Sequence, residues 1–545
     1  MTLRSLAILL ISVVAAGCGD DGSGLMTEPP DPPEVLLGER LFLETRFAQY
    51  FYASSRDINQ ALPQGDPVMN VTTTIGGALP GPFAGQSMNC RACHLVDEQE
   101  PYRLVRTYTD LGRRSPIPER EDGRTLTPRN SPSLVNATAP RSGPLLLHFD
   151  GEFGTAEELV AGTLTGRNFG WLADEATIAR AHIARVIRED DGLGMLAAEF
   201  GALSYREVFL GSEQVPPAML IREELRLDVE TADDEAVMSA VSTLISEYVR
   251  SLTFTQSKVG EFDASPYDRF LRKNDLPRRP AADESDVEYS RRLAQLLNRG
   301  DLRSVDLYDG SFTLHAQEFR FGALEQRGLE IFLNETPRDG LPAGNCVSCH
   351  PAPHFTDFSF HNTGISQAEY DSIHGGGAFA ALLIPGLEER NAAPEIYLPP
   401  SPIHPRALGV FADVPSAASP GRTDLGLWNV FANPAVPNPQ AALTGLLCAE
   451  APERGVSCRP SELLETAVAA FKTPGLRDLG QSAPYFHTGQ VDSLEDVVDF
   501  YVSAAAQARA GVLRNADPAI RRIEISTHDR EALAAFLRSL NEDYE

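Results

Sequence analysis

Apolar side chains recur every three or four positions through several stretches of this 545-residue chain. The clearest are Ala156–Thr163, Ala176–Arg188, Ala236–Leu252, Leu494–Gln507 and Arg530–Leu540, and the spacing predicts an amphipathic helix over each. Two further helical stretches form a degenerate internal repeat. Gly38-Glu39-Arg40-Leu41-Phe42-Leu43-Glu44-Thr45 is echoed by Gly328-Leu329-Glu330-Ile331-Phe332-Leu333-Asn334-Glu335-Thr336. Strand-like alternation is sparse. The pattern predicts a mainly α fold with long loops and few short strands.

Each copy of the repeat is followed by the same short motif: Cys90-Arg91-Ala92-Cys93-His94 and Cys346-Val347-Ser348-Cys349-His350, both preceded by asparagine. Cys-x-x-Cys-His is the attachment pattern for c-type haem. Its two thiols add to the haem vinyl groups, and the next imidazole is then held where its ring nitrogen reaches the iron. A shared four-cysteine zinc site fits poorly, because the pairs are 256 residues apart and each has its own histidine. The chain therefore reads as a dihaem protein with two cytochrome c-like domains. Cys90 and Cys93 hold the first haem and His94 binds its iron; Cys346, Cys349 and His350 serve the second.

Three of the seven cysteines remain. Cys18 follows Arg4, the apolar run Leu6–Ala16 and Ala15-Ala16-Gly17, which reads as a secretory signal ending at a lipidation site. The alternative is a non-lipidated signal peptide with an incidental cysteine. Cys448 and Cys458, ten residues apart in a Pro- and Ala-rich segment, read as a disulfide closing a surface loop. The expected organisation is a signal peptide at 1–17, a lipid-anchor tether at 18–36, an N-terminal haem domain at 37–274, an inserted linker at 275–320 and a C-terminal haem domain at 321–545. Asp275–Ala316 is expected as a surface excursion, and Gln367–Pro420 as a long loop. These readings place the protein in the periplasm or at the outer membrane of a Gram-negative bacterium, with the lipid anchor its sole membrane contact. The net charge of −29 argues against nucleic-acid binding and leaves a basic redox partner open.

Several segments resemble one family. Phe471-Lys472-Thr473-Pro474-Gly475-Leu476-Arg477-Asp478 and Ala483-Pro484-Tyr485-Phe486-His487-Thr488-Gly489 resemble the C-terminal domain of the bacterial dihaem cytochrome c peroxidase superfamily, which includes MauG. Leu37–Phe47, Arg129-Asn130-Ser131-Pro132-Ser133-Leu134 and Phe149-Asp150-Gly151 are similar to its N-terminal domain. His354-Phe355-Thr356-Asp357 and Phe360-His361-Asn362-Thr363-Gly364 resemble its segment after the second haem.

The resemblance implies a peroxide-reactive N-terminal haem and a six-coordinate C-terminal haem that moves electrons. Conventional members ligate the latter with methionine, but no methionine follows Met238, and Tyr501 stands where the ligand falls, as in MauG. The competing reading is a core tyrosine, with His487 or water at the iron; His487 is otherwise expected near a haem propionate. No histidine or methionine lies between Leu95 and Leu147, so the first haem is expected to lack the family's distal histidine, which aligns near Asp122. His148 and His182 are alternative ligands, each also readable as core packing.

The family's distal glutamine and glutamate are missing from Gly162–Trp171. Arg167 or Asn168 is a candidate to polarise peroxide, with Glu157, Glu158, Asp174 or Glu175 as a base; Arg167 is equally suited to a haem propionate. Phe149 replaces the family's inter-haem tryptophan, and Trp171 is either its functional substitute or a structural residue. Asn130 with Lys472 and Pro474 matches the family's calcium site, with loop packing as the alternative. The resemblance implies a peroxide-dependent oxidoreductase acting on a small electron-donor protein or a protein substrate. Its rivals are a conventional cytochrome c peroxidase, a non-enzymatic dihaem electron-transfer protein and a dioxygen-using haem oxygenase.

Overall fold

Each copy of the internal repeat folds as a helix, Pro33–Phe42 and Ala323–Leu333, and each packs on a second helix through a glycine. A methyl group at Gly38 would stand 2.1 Å from the Leu244 carbonyl oxygen, and one at Gly328 would stand 2.0 Å from that of Ala532. Both partners are backbone, which cannot rotate aside. Asp234–Ser251 is thus the partner of the first helix and Arg530–Arg538 that of the second. Leu37, Leu41 and Phe42 in one copy, and Leu329, Phe332 and Leu333 in the other, are buried beside these glycines. Local chemistry starts the helices. Asp233 accepts from Ala236 N–H at 2.8 Å, and Glu325 accepts from Gly322 N–H at 2.7 Å, each satisfying a donor with no partner inside its helix.

The protein is represented here by a computed structural model describing residues 31–69, 87–99, 104–108, 114–298, 300–312, 317–338 and 340–542. The signal-peptide reading at 1–17, Cys18 and most of the tether lie outside the described residues. The tether expected up to residue 36 stops earlier, because Pro33 opens the first helix and Val35 is already buried. The other expected helices form as Ala156–Leu164, Ala176–Glu189, Asp234–Ser251, Leu494–Arg509 and Arg530–Arg538. The described strands pair as three two-stranded antiparallel units. The shortest joins Phe360–His361 to Phe471–Lys472 and so fastens the segment after the second motif to the one carrying Lys472.

From Asp31 onward the chain forms one compact unit. Its apolar residues gather in a first core spanning Val35 to Phe262 and a second spanning Tyr267 to Leu540. A third core draws Leu146 together with Phe360, Trp428 and Phe471.

Two loop expectations are corrected. The stretch 275–320, expected as an irregular linker, contains the helix Asp286–Leu297 and the hairpin Val305–Phe312/Gln317–Phe321. Tyr289, Leu293, Val305 and Phe319 are buried in the second core, so the charged residues that suggested a surface excursion belong to the outer faces of packed elements. Within 367–420, Ile365–His374 is helical, and Phe379, Leu398 and Phe411 are buried. The wide spacing of these anchors hid them from a periodicity reading. Cys448 and Cys458 are bridged, with their Cα atoms 4.9 Å apart.

Replacing Gly328 by alanine is expected to lower stability by about 1–3 kcal/mol, the cost of overpacking outweighing alanine's better helix propensity. Gly445, on the helix Gln440–Arg454, has nothing within 4 Å of the added methyl, so Gly445→Ala should instead stabilise by up to about 1 kcal/mol. Urea unfolding midpoints of the two variants test both signs.

Candidate functional site

The asparagine before each cysteine motif is a structural clasp. Asn89 donates from Nδ2 to the Leu43 carbonyl at 2.8 Å and accepts from Ala92 N–H at 3.1 Å, tying the turn Cys90–Ala92 to the end of the first repeat helix. Asn345 sits in the left-handed region, with φ at 50°. It donates to the Ala519 carbonyl at 2.9 Å and accepts from Ser348 Oγ at 2.8 Å. Asparagine tolerates that conformation better than most residues.

Both motif histidines are oriented through one ring nitrogen. His94 Nδ1 lies 3.0 Å from the Pro132 carbonyl oxygen and His350 Nδ1 lies 2.8 Å from that of Phe355. A carbonyl only accepts, so each Nδ1 carries the proton and each Nε2 keeps its lone pair, as an iron ligand requires. Burial pulls His94 down to about 4 and lowers His350 as well, so both imidazoles are neutral at pH 7. Burial likewise pushes the Cys90 and Cys346 thiols up to about 12, helped by the neighbouring cysteine of each motif.

A cavity of roughly 320 Å³ lies over the second motif. Cys346, Cys349, His350 and Tyr501 all line it. Tyr501 comes from the helix Leu494–Arg509, whose residues 494, 497, 498 and 501 form one face at helical spacing and line the cavity together. Its hydroxyl has no hydrogen-bond partner among the described residues, and burial raises its pKa. An apolar chamber lined by two thiols, an oriented neutral imidazole and, across one face, a phenol unpartnered among the described residues fits a covalently attached haem.

His487, expected near a propionate, also lines the cavity. It is stacked on Phe471 with ring centroids 3.5 Å apart, and its Nε2 is 3.3 Å from Ser366 Oγ. Phe149 is the next aromatic on that wall, 6.4 Å from His487. His361, within the segment after the second motif, bridges Asp517 at 2.8 Å through Nδ1 and Asp357 at 2.7 Å through Nε2. Two carboxylate acceptors make it an imidazolium, and its pKa is raised despite its burial.

The distal candidates of the first haem are placed differently from expectation. Arg167 is paired with Asp122, Nε and Nη2 donating at 2.7 and 2.9 Å, rather than standing free to meet a peroxide or a propionate. Asn168 is half-buried in the same short turn. Trp171 is buried, donates from Nε1 to the Phe47 carbonyl at 3.1 Å and lies against His182. His182 donates from Nε2 to the Arg46 carbonyl at 2.7 Å, and burial pulls its pKa down to about 4. Both therefore act as packing in the first core. Of the candidate bases, Glu157 pairs with Arg250, Glu158 accepts from Asn438 at 2.8 Å, Glu175 pairs with Arg120 at 2.8 Å and Asp174 is exposed. Pairing partners far along the chain could not be read from local sequence. His148 lines the cavity with its ring edge-on to Phe153 at 5.0 Å and Nδ1 3.4 Å from Glu152.

Asn130, Lys472 and Pro474 line one wall of the cavity. The Asn130 amide is already engaged, donating to the Pro484 carbonyl at 2.6 Å and accepting from Ser131 N–H at 3.0 Å. Lys472 N–H donates to the Phe149 carbonyl at 2.7 Å.

No family model matches the chain. A cytochrome-c peroxidase, IdrP2, of Denitromonas iodatirespirans is 25% identical over 221 residues, covering 40% of this chain and 39% of that protein. The methylamine utilization protein MauG of Methylorubrum extorquens is 42% identical over 71 residues, 13% of this chain and 19% of its own. The chain thus spans less than two fifths of the length of these curated relatives. Among solved structures, the dihaem peroxidase BthA of Burkholderia thailandensis aligns over 95% of this chain and 87% of its own, at 17% identity and a TM-score of 0.44. A MauG-like protein associated with microbial copper homeostasis aligns over 96% of both chains, at 16% identity and a TM-score of 0.40. The sequence matches bear out the resemblance to the bacterial dihaem cytochrome c peroxidase and MauG superfamily.

Asn89→Ala removes the clasp on the first motif and should cost about 1–3 kcal/mol, because a buried carbonyl and a backbone N–H lose their partner. The check is a lowered urea midpoint in holoprotein whose haem content matches the unaltered chain.

Proposed function

We propose, from a chain similar in its matched segments to dihaem cytochrome c peroxidases and MauG, that this protein is a peroxide-dependent dihaem c-type oxidoreductase of the MauG-like kind. It takes electrons from a redox partner or a protein substrate at its surface. The observation that carries the reading is the placement of His350 and Tyr501 on one cavity, the first with Nδ1 fixed by the Phe355 carbonyl and the second with a hydroxyl unpartnered among the described residues. Two covalently attached haems would supply the redox chemistry, exchanging electrons with peroxide and donor.

The chain's own residues divide the work. Cys90, Cys93 and His94 hold the first haem, and the Pro132 carbonyl fixes the tautomer of His94. No histidine or methionine between Leu95 and Leu147 is available as an opposing ligand, which favours a site open to peroxide. At the second site the Phe355 carbonyl orients His350, and the helix Leu494–Arg509 presents Tyr501. A phenolate ligand donates charge and favours higher oxidation states, where methionine would favour the reduced iron. Export, the lipid anchor at Cys18 and a calcium ion bound by Asn130 with the carbonyls of Lys472 and Pro474 are part of the same proposal.

One observation favours a second reading, a dihaem electron-transfer protein. The side chains nearest in sequence to the family's distal pair are occupied, Arg167 by Asp122 and Glu175 by Arg120. Peroxide cleavage without a positioned acid or base loses the usual contribution of proton transfer.

Low-temperature EPR of the resting diferric protein tests the proposal. The expected spectrum has one high-spin and one low-spin haem, and in Tyr501→Phe the low-spin signal is displaced or lost. Two low-spin signals in the unaltered protein would refute the open first site, and a low-spin signal unchanged in Tyr501→Phe would refute tyrosine ligation. Rapid mixing with hydrogen peroxide then separates the peroxidase, whose spectrum responds, from the electron-transfer protein, whose spectrum does not.

A further inference from the structure

Arg141 and Lys472 reach the same cavity from segments far apart in the chain. Arg141 donates from Nε to the Ala139 carbonyl at 3.0 Å and from Nη2 to the Ala137 carbonyl at 2.8 Å, and its guanidinium lies 3.8 Å from the Phe358 ring. No carboxylate pairs with it among the described residues, and its Nη1 has no acceptor there. Lys472 donates from Nζ to the Leu146 carbonyl at 3.1 Å and has no carboxylate in contact. Asp150, the acid whose field reaches the ammonium, is already bound to Arg129.

The two cations therefore repel one another inside a low-dielectric wall. Two fully buried arginines of the protein each have a carboxylate counter-ion. Arg477 is paired with Asp268 at 3.0 Å and Arg40 with Asp190 at 2.8 Å. Arg390 lacks an acid but spends its donors on Asn391 and the carbonyls of Trp428, Phe431 and Ala432. Arg141 and Lys472 are half-buried against this apolar chamber, and a charge there without a counter-ion is costly, so the pair calls for an anion that enters with whatever fills the cavity.

We propose that Arg141 and Lys472 are positioning residues that bind the carboxylate side groups of the haem attached at Cys346 and Cys349. The inference rests on the haem reading of that motif. Haem brings two carboxylates into an otherwise apolar chamber, and a guanidinium with both Nη1 hydrogens free and an ammonium with two are matched to them.

The test is the midpoint potential of the low-spin haem in holoprotein, by spectroelectrochemistry. Arg141→Gln and Lys472→Met should each shift its ferrous/ferric ratio at least tenfold toward ferric, about 59 mV for one electron, because an unneutralised carboxylate favours the more positive iron. The charge-conserving Arg141→Lys and Lys472→Arg should keep most of the potential. If one neutral variant does not fold, the other suffices. An unchanged midpoint in the neutral variants, or an equal displacement in the conserving ones, overturns the proposal. A wild-type midpoint that moves on adding phosphate overturns it in favour of a small-anion site. Fewer than two haems per chain in the wild type, counted from the pyridine haemochrome, would instead be a failure of the haem reading itself.

Discussion

The hydrogen bond from each motif histidine to a backbone carbonyl is the constraint around which the site is arranged. Proximity of a Cys-x-x-Cys-His turn does not by itself aim an imidazole. The Pro132 and Phe355 carbonyls do so, by taking one ring proton and leaving the other nitrogen facing away. Both carbonyls belong to segments that follow their motif and return over it. Each site is therefore complete only when its motif, its asparagine clasp and that returning segment have come together. The second site adds the short strand pair between Phe360–His361 and Phe471–Lys472, which closes one wall.

Much of this was legible in the sequence because it is encoded locally. The helix Leu494–Arg509 was visible from its apolar period, and the same period puts Tyr501 on the face of Leu494 and Val498. The two repeat helices were equally plain. Their glycines, however, owe their importance to carbonyls at Leu244 and Ala532, about two hundred residues downstream in each case, which no local pattern announces.

What sequence missed follows from long-range pairing. Arg167 reads as a free cation until Asp122, in a loop 45 residues earlier, is folded against it. The stretch 275–320 reads as surface because its charges outnumber its anchors. Yet Tyr289, Leu293, Val305 and Phe319 suffice to bury it. His361 carries no local signal of its charge, which comes from two carboxylates, at positions 357 and 517, that the fold brings to its ring beside Cys349. Arg141 carried no signal at all. Its significance is the lack of a carboxylate partner among the described residues, which is a property of the folded surroundings.

The buried thiols bear on how such a molecule is made. In the finished fold Cys90 and Cys346 are held far from ionisation, pushed up to about 12, and thiolate is the reactive form of cysteine. Asn345, the Phe355 carbonyl and the Tyr501 helix surround the second pair on different sides. Under the proposed haem attachment, thioether formation thus belongs to a stage before these segments close around the sulfurs. On that proposal the architecture orders biogenesis: prosthetic-group attachment comes first, and the polypeptide then condenses around what it already carries.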